Sequence, residues 1–141
     1  MRRLLTAALV LGAFAIVFID APAAEESTAA AVVQINVRIG CNGEAVGEFT
    51  INNQSATLSK RAGDTAMFSL LGGSDVDSVT VRPKADVAWP FADAPPTFSR
   101  GNDRGTGSIL ADIAPGIYGY DLLVTCGSTE DVIDPNMDID A

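Results

Sequence analysis

Hydrophobic and polar residues alternate along much of the chain after residue 24, and this alternation predicts β-strands. The first predicted strand follows a short polar and alanine-rich segment. Its apolar residues occupy every second position: Val33, Ile35, Val37 and Ile39. A period of two places these side chains on one face of a half-buried strand. Asn42-Gly43 then predicts a hairpin turn, since this pair can adopt the positive φ that tight turns require.

Further extended segments follow at short intervals, separated by turns rich in Gly, Pro, Asn and Asp. They cover residues 46–51, 56–60, 65–71, 78–82, 106–111, 117–126 and 132–139. The sequence after residue 24 has no segment with helical periodicity. Seven or eight short strands with regularly spaced turns predict an all-β fold, an antiparallel β-sandwich of two sheets. The lack of crossover helices excludes a parallel α/β fold.

The first 24 residues have the features of a signal peptide. Met1-Arg2-Arg3 is positively charged, residues 4–19 are uncharged and mostly apolar, and Ala21-Pro22-Ala23-Ala24 provides small residues for signal peptidase. The apolar segment is shorter than the roughly 20 residues that cross a bilayer; an uncleaved anchor is the alternative. We therefore expect a signal-peptide helix over residues 1–24 and one exported β-sandwich domain over residues 25–141, in the periplasm or outside the cell, without membrane contact after cleavage.

Composition and charge narrow the classes of function. The chain of 141 residues has 9 Lys and Arg against 18 Asp and Glu, a formal charge of -9, and no histidine. This acidic balance argues against nucleic acid and anionic membranes as partners, because phosphate groups bind clustered Lys and Arg. Without histidine, the chain lacks the commonest general base and metal ligand. It also has no nucleophile elbow or phosphate-binding loop, so we expect a protein that is not an enzyme and has no cofactor.

Two cysteines, Cys41 and Cys126, are predicted to form a structural disulfide. In an exported chain of this size, two cysteines usually pair. A redox pair is typically closer in sequence, and a zinc site needs more soft ligands than two. The bridge would join the N-terminal strand to the C-terminal half of the domain.

Two segments resemble the cupredoxin-like family. Residues 61–68, Arg-Ala-Gly-Asp-Thr-Ala-Met-Phe, resemble its Gly-Asp-Thr strand. Residues 114–120, Ala-Pro-Gly-Ile-Tyr-Gly-Tyr, followed by Cys126, resemble the strand that leads to its copper-binding loop. The resemblance implies a secreted sandwich of cupredoxin-like or immunoglobulin-like type. A blue-copper site needs two His and one Cys, and this chain has no His, so the resemblance implies the scaffold without its copper ligands.

Tyr118 and Tyr120 are two residues apart in a predicted strand and therefore share one face. We expect one of them in the core and the other hydrogen-bonded, as in the tyrosine corner of immunoglobulin-like sandwiches.

The longest irregular segment covers residues 85–107 and contains the candidate partner-binding residues. These are Trp89, Phe91, Phe98, Arg100 and Arg104. Aromatic side chains dominate binding hot spots because they bury a large area at low entropic cost. The alternative is a loop folded back over one end of the sandwich, with the arginines solvated or paired with Asp93 or Asp103. Our first hypothesis is a module that binds another protein through this segment or a sheet edge, or that has a structural role.

The C-terminal segment carries an oxygen-bearing side chain at every second position: Asp134, Asn136, Asp138 and Asp140. Calcium binds clusters of such oxygens, so a calcium-stabilised or metal-ion-binding domain is the second hypothesis. The segment lacks the glycine and the terminal glutamate of an EF-hand loop. The alternative is an edge strand with Met137 and Ile139 facing inward and the acids facing water. A small hydrolase that uses paired carboxylates is the third hypothesis.

Overall fold

Ten β-strands make up most of residues 29–141, the part of the chain that the computed structural model describes. The predicted signal peptide lies outside the described residues. Within them no α-helix is present, and hence no helix long and apolar enough to cross a membrane. The strands are β1 (Val32–Asn42), β2 (Ala45–Ile51), β3 (Ser55–Ser59), β4 (Thr65–Leu70), β5 (Ser78–Pro83), β6 (Thr97–Ser99), β7 (Arg104–Gly105), β8 (Gly116–Cys126), β9 (Thr129–Ile133) and β10 (Asn136–Asp140).

The strands form two sheets with mixed strand directions. The first sheet has the order β2-β1-β4-β7, and the second has the order β3-β10-β8-β5-β6, with β9 also paired to β8. The expectation of purely antiparallel sheets is wrong, because β1 pairs with β4, and β3 with β10, in parallel. The connection from β2 to β3 explains the first parallel pair. The chain leaves the first sheet after Ile51, turns after β3, and re-enters the first sheet as β4 in the direction of β1.

One long hairpin organises the second sheet. Cys126 pairs with Thr129 and Gly116 with Ile139, so β9 and β10 follow β8 in a single register. Gly127, at a φ of 62°, closes the two-residue turn. Pro135 separates β9 from β10, since proline has no N–H for the ladder.

The C-terminal strand is an interior strand of this sheet. The edge-strand interpretation of residues 134–140 is wrong, because β10 lies between β3 and β8. Met137 and Ile139 do face inward as predicted, and both are fully buried.

The predicted strand over residues 106–111 is wrong, and two short strands, β6 and β7, were missed. Gly107, at a φ of 66°, interrupts the extended backbone there, and Ile109 forms only an isolated bridge with Phe91. Both lie inside the predicted irregular segment: β7 pairs with β4, and β6 pairs with β5, which brings Phe98 into the core. An alternating pattern does not identify a strand of three residues.

A single hydrophobic core joins the inner faces of both sheets, an arrangement compatible with the predicted β-sandwich. Phe68 of the first sheet lies at its centre. Its ring centroid is 5.6 Å from that of Phe98 and 5.9 Å from that of Tyr120, both in the second sheet. Burial of each such large side chain stabilises the fold by about 1.5–3 kcal/mol.

The two tyrosines of β8 have the predicted roles. Tyr120 is fully buried in the core. The hydroxyl of Tyr118 donates a hydrogen bond of 2.6 Å to the carbonyl oxygen of Ala114, four residues upstream. Buried Tyr120 and hydrogen-bonded Tyr118 therefore confirm the expectation from their shared face.

The predicted disulfide is also confirmed. The sulfur atoms of Cys41 and Cys126 are 2.05 Å apart, and the bridge joins β1 of the first sheet to β8 of the second. Cys126 is buried and Cys41 is partly buried. A structural disulfide of this kind is typical of proteins that fold in an oxidising compartment.

We predict that the double variant Cys41→Ala, Cys126→Ala unfolds more easily by about 2–5 kcal/mol, because the unfolded chain loses a constraint spanning 85 residues. Urea denaturation of the oxidised wild type and of the variant measures the difference. The same loss on reducing the wild type assigns it to the bridge. A difference below about 1 kcal/mol would contradict this role of the disulfide.

We predict opposite effects for removing the two tyrosine hydroxyls. Tyr118→Phe loses the bond to Ala114 and should destabilise the domain by about 1 kcal/mol. The Tyr120 hydroxyl is buried without a hydrogen-bond partner among the described residues. Tyr120→Phe should therefore leave the free energy of unfolding unchanged or raise it, because an unsatisfied buried hydroxyl costs about 1–3 kcal/mol.

Alkaline unfolding provides a second measurement on the same pair. Burial raises the pKa of the Tyr120 phenol above its ordinary value of 10.0. The folded state then holds this proton more tightly than the unfolded state, so the free energy of unfolding falls as the pH rises past about 10. Tyr120→Phe should weaken that decline. A destabilising Tyr120→Phe at neutral pH would contradict the account of this hydroxyl.

Candidate partner-binding site

The aromatic residues of the predicted binding segment lie mainly in the core. Phe91 and Phe98 are 2% and 0% exposed. Trp89 is partly buried, with its ring centroid 5.2 Å from that of Phe91, and its indole N–H donates to the carbonyl oxygen of Asp93. The segment thus folds back onto the domain, as the alternative interpretation expected. The side chains of Phe91 and Phe98 are almost inaccessible to a partner.

The two arginines of this segment have different surroundings. The guanidinium of Arg100 donates to the carbonyl oxygen of Ser74, and its backbone bridges to Leu70 of β4. Arg104 lies in β7 and is exposed. Arg100 therefore helps to join the two sheets on the side where β4 approaches β6.

The oxygen-bearing side chains of the C-terminal segment lie on β10, an interior strand, or just before it. Asn136, Asp138 and Asp140 alternate with the inward-facing residues of β10 and therefore face outward. Asp134 forms an ion pair of 2.6 Å with Lys84. No group of three or more His, Cys, Asp or Glu side chains with metal-binding geometry occurs among residues 29–141.

A groove runs along the side of the domain where β2 and β9 face each other without pairing. Within the described residues, β2 pairs only with β1, and β9 only with β8. We call this depression the β2–β9 groove. It has a volume of 360 Å³ and is lined by Val46, Phe49, Gln54, Asp131, Val132, Ile133 and Asp134.

A β-bulge in the first hairpin exposes apolar side chains to this groove. Val46 pairs with Cys41, and Phe49 with Ile39, with a shift of register between the two pairs. Residues that are three apart therefore share the inner face of β2, although regular alternation would separate them. The second sheet does not cover this face completely, so Phe49 remains 45% exposed.

The backbone of β2 presents free hydrogen-bonding groups to the same side. The backbone N–H of Asn52 donates to the backbone carbonyl oxygen of Asn36, so residues 36 and 52 form a hydrogen-bonded pair of the ladder. Such pairs alternate with non-bonded pairs in an antiparallel ladder. The N–H and C=O groups of Phe49 and Ile51 therefore point away from β1.

The free edge of β9 follows from the same alternation. The two-residue turn makes Cys126 and Thr129 a hydrogen-bonded pair. The backbone groups of Glu130 and Val132 consequently point away from β8. Val132 is also 47% exposed on the outer face. Two free strand edges thus border one groove.

One carboxylate connects these edges. Oδ2 of Asp131 accepts the N–H of Val46 on β2 at 3.1 Å, and Oδ1 accepts the N–H of Val132 on β9 at 3.2 Å. An inward-pointing charge is a usual protection of a free strand edge. Asp131 therefore caps one donor on each edge and connects the two sheets.

The two hairpin turns are joined at the same end of the groove. The hydroxyl of Ser128 donates to Oε1 of Glu44 at 2.9 Å, beside the disulfide of Cys41 and Cys126. At the other end, the chain passes from β2 to β3. The backbone N–H of Asn136 donates there to the backbone carbonyl oxygen of Gln54. The groove is therefore held at both ends.

The groove residues were missed in the sequence, although one signal for them exists. Asp131 occupies an inward position of a strand whose inward neighbour, Ile133, is buried. A carboxylate at such a position is typical of a protected edge. That signal requires the register of the hairpin, which the alternation of residues 132–139 alone did not provide.

No protein-family model matches the chain, and no curated protein matches it in sequence. The candidate site therefore rests on the geometry of the groove.

We predict that removing the Asp131 carboxylate destabilises the domain in proportion to the acceptors lost. Asp131→Ala should lower the free energy of unfolding by about 1–2 kcal/mol, because two amides lose their acceptor. Asp131→Asn should lose about half as much, since its single carbonyl oxygen replaces two carboxylate oxygens. Urea denaturation measures both, with Glu130→Ala as the control that removes a neighbouring exposed acid. Equal losses for Asp131→Ala and Glu130→Ala would contradict the capping role.

Proposed function

We propose that this chain is an exported, non-catalytic β-sandwich module, cupredoxin-like or immunoglobulin-like, that binds another protein through the β2–β9 groove. The observation that carries the proposal is the pair of free strand edges bordering one partly apolar groove. Proteins commonly bind an extended partner segment by adding it to such an edge, with main-chain hydrogen bonds supplying affinity and side-chain pockets supplying specificity.

The type of module is supported by sequence and structure together. The two sheets share one core. The Tyr118 hydroxyl donates a hydrogen bond to the carbonyl oxygen of Ala114, upstream in the chain, as in an immunoglobulin-like tyrosine corner. The disulfide supports folding in an oxidising compartment, and the N-terminal sequence supports export. The lack of histidine and of a nucleophile motif in the sequence supports a non-catalytic role.

The groove is a better candidate surface than the aromatic segment. Its apolar residue Phe49 is 45% exposed, whereas Phe91 and Phe98 of the aromatic segment are buried. A binding residue must be accessible, and alanine at a buried aromatic position would mainly reduce stability.

Site-specific photo-crosslinking in the native host tests this proposal. A photoreactive amino acid replaces Phe49 in one variant and Ile117, which is 72% exposed on the outer face of β8, in the control. We predict a covalent adduct with one defined partner from position 49 and none from position 117. The partner, once identified and purified, should bind the wild type and the variant Ile117→Ala equally, but bind Phe49→Ala more weakly. Equal adducts from both positions, or none from position 49, would contradict the proposal.

A further inference from the structure

The charge of the β2–β9 groove identifies the chemistry of its occupant. The described residues that line it include two carboxylates, of Asp131 and Asp134, and no Lys or Arg; Asp134 shares its charge with Lys84. Glu130 lies beside them on β9, and the whole chain has a formal charge of -9. A second copy of this chain would bring like charges together, which is unfavourable at an interface. A positively charged segment would be attracted.

The backbone geometry identifies the shape of the occupant. On β9, the outward-pointing groups belong to Glu130 and Val132, two residues apart, which is the spacing that a single added strand can pair with. Val46, Phe49 and Ile133 provide apolar surface on the groove side. An added strand would turn every second side chain toward this surface. Its remaining side chains would lie on the outer face, to which Glu130 of β9 also points.

The groove is preorganised for such a segment. The disulfide and the bond between Ser128 and Glu44 hold one end, and the passage from β2 to β3 holds the other. A site that needs no rearrangement retains more of its contact energy as affinity. Among the described residues, the Asp131 carboxylate accepts the N–H of Val132, the position that a carbonyl of an incoming backbone would take.

We propose that the groove binds an extended segment in which Lys or Arg alternates with apolar residues, added as a strand beside β9. A backbone carbonyl of the segment replaces Oδ1 of Asp131 at the N–H of Val132. A Lys or Arg of the segment then pairs with the Glu130 carboxylate on the outer face of β9, while Oδ2 of Asp131 keeps its contact with Val46 on the inner face. This inference rests on the proposed function and specifies the partner's chemistry.

Synthetic peptides test the inference on the purified, oxidised domain. The first peptide, of about seven residues, a usual strand length, alternates Lys with Val. The second replaces each Lys by Glu, and the third replaces the central Val of the first by Pro. Titrations followed by the backbone amide signals in NMR give the affinity and the contacted residues.

We expect the Lys peptide to bind at least about tenfold more tightly than the Glu peptide and to shift the amide signals of Phe49 and Val132. The Pro peptide should lose this binding, because proline removes a backbone donor and disturbs strand pairing. Equal affinity for the Lys and Glu peptides, unchanged affinity for the Pro peptide, or shifts that avoid both edges would overturn the inference.

A pair of variants distinguishes binding at the groove from general attraction to the net negative charge of the domain. Glu130→Gln and Asp138→Asn remove the same charge, but Asp138 lies on β10, an interior strand without a free edge. Glu130→Gln should weaken binding of the Lys peptide about fivefold or more, and Asp138→Asn should change it less than about twofold. Equal effects would show general attraction by an acidic domain and overturn the assignment to Glu130.

The peptide test and the crosslinking test distinguish an error in the partner's chemistry from an error in the proposed function. If position 49 crosslinks to one host protein but the Lys peptide has no advantage, the proposed function stands and the partner chemistry is wrong. If the peptides behave as expected but no host protein crosslinks at position 49, the proposed function is wrong, and the groove retains only its preference for basic strands.

Discussion

The cross-linked end of the two sheets is the constraint on which the rest of the structure depends. Cys41 and Cys126 join the sheets covalently beside both hairpin turns, and Asp131 connects the adjacent strand edges through two amides. These contacts hold β2 and β9 near each other without allowing them to pair. The opposite side differs, because the bridge between Leu70 and Arg100 connects the sheets there. The domain is therefore joined through its backbone on one side and open on the other, and the open side is where a partner strand can be added.

Much of the fold could be predicted from the sequence, because a strand that is buried on one face has apolar residues at every second position. The alternation in β1 correctly placed Ile35, Val37 and Ile39 in the core, and the two cysteines pair as expected. The residue pattern does not show which strands pair with each other. Alternation identifies the face of a residue and not the neighbour of a strand, so the parallel pairs and the interior position of β10 were not predicted. A strand as short as β6 has too few residues to show a period.

The candidate site was harder to predict than the fold because it arises from what the strands leave unpaired. The aromatic residues of the irregular segment were conspicuous in the sequence, and two of them, Phe91 and Phe98, are core residues. The groove depends instead on a bulge between Ile39 and Cys41, on the change of sheet after β2, and on the register that brings Asp131 to the edge. Each of these is a relation between distant segments. Local residue patterns contain little information about such relations.

The most direct test of the central claim is backbone amide hydrogen exchange in the free, oxidised domain, measured residue by residue with NMR. If β2 and β9 are open edges connected by Asp131, exchange should alternate along β2. The amides of Phe49 and Ile51 should exchange fast and that of Thr50, directed at β1, slowly. Val46 and Val132 should be protected by the carboxylate, whereas Glu130 should not. Uniform protection of Phe49, Ile51 and Glu130 would show that these edges are already paired, and would contradict the account of an open binding side.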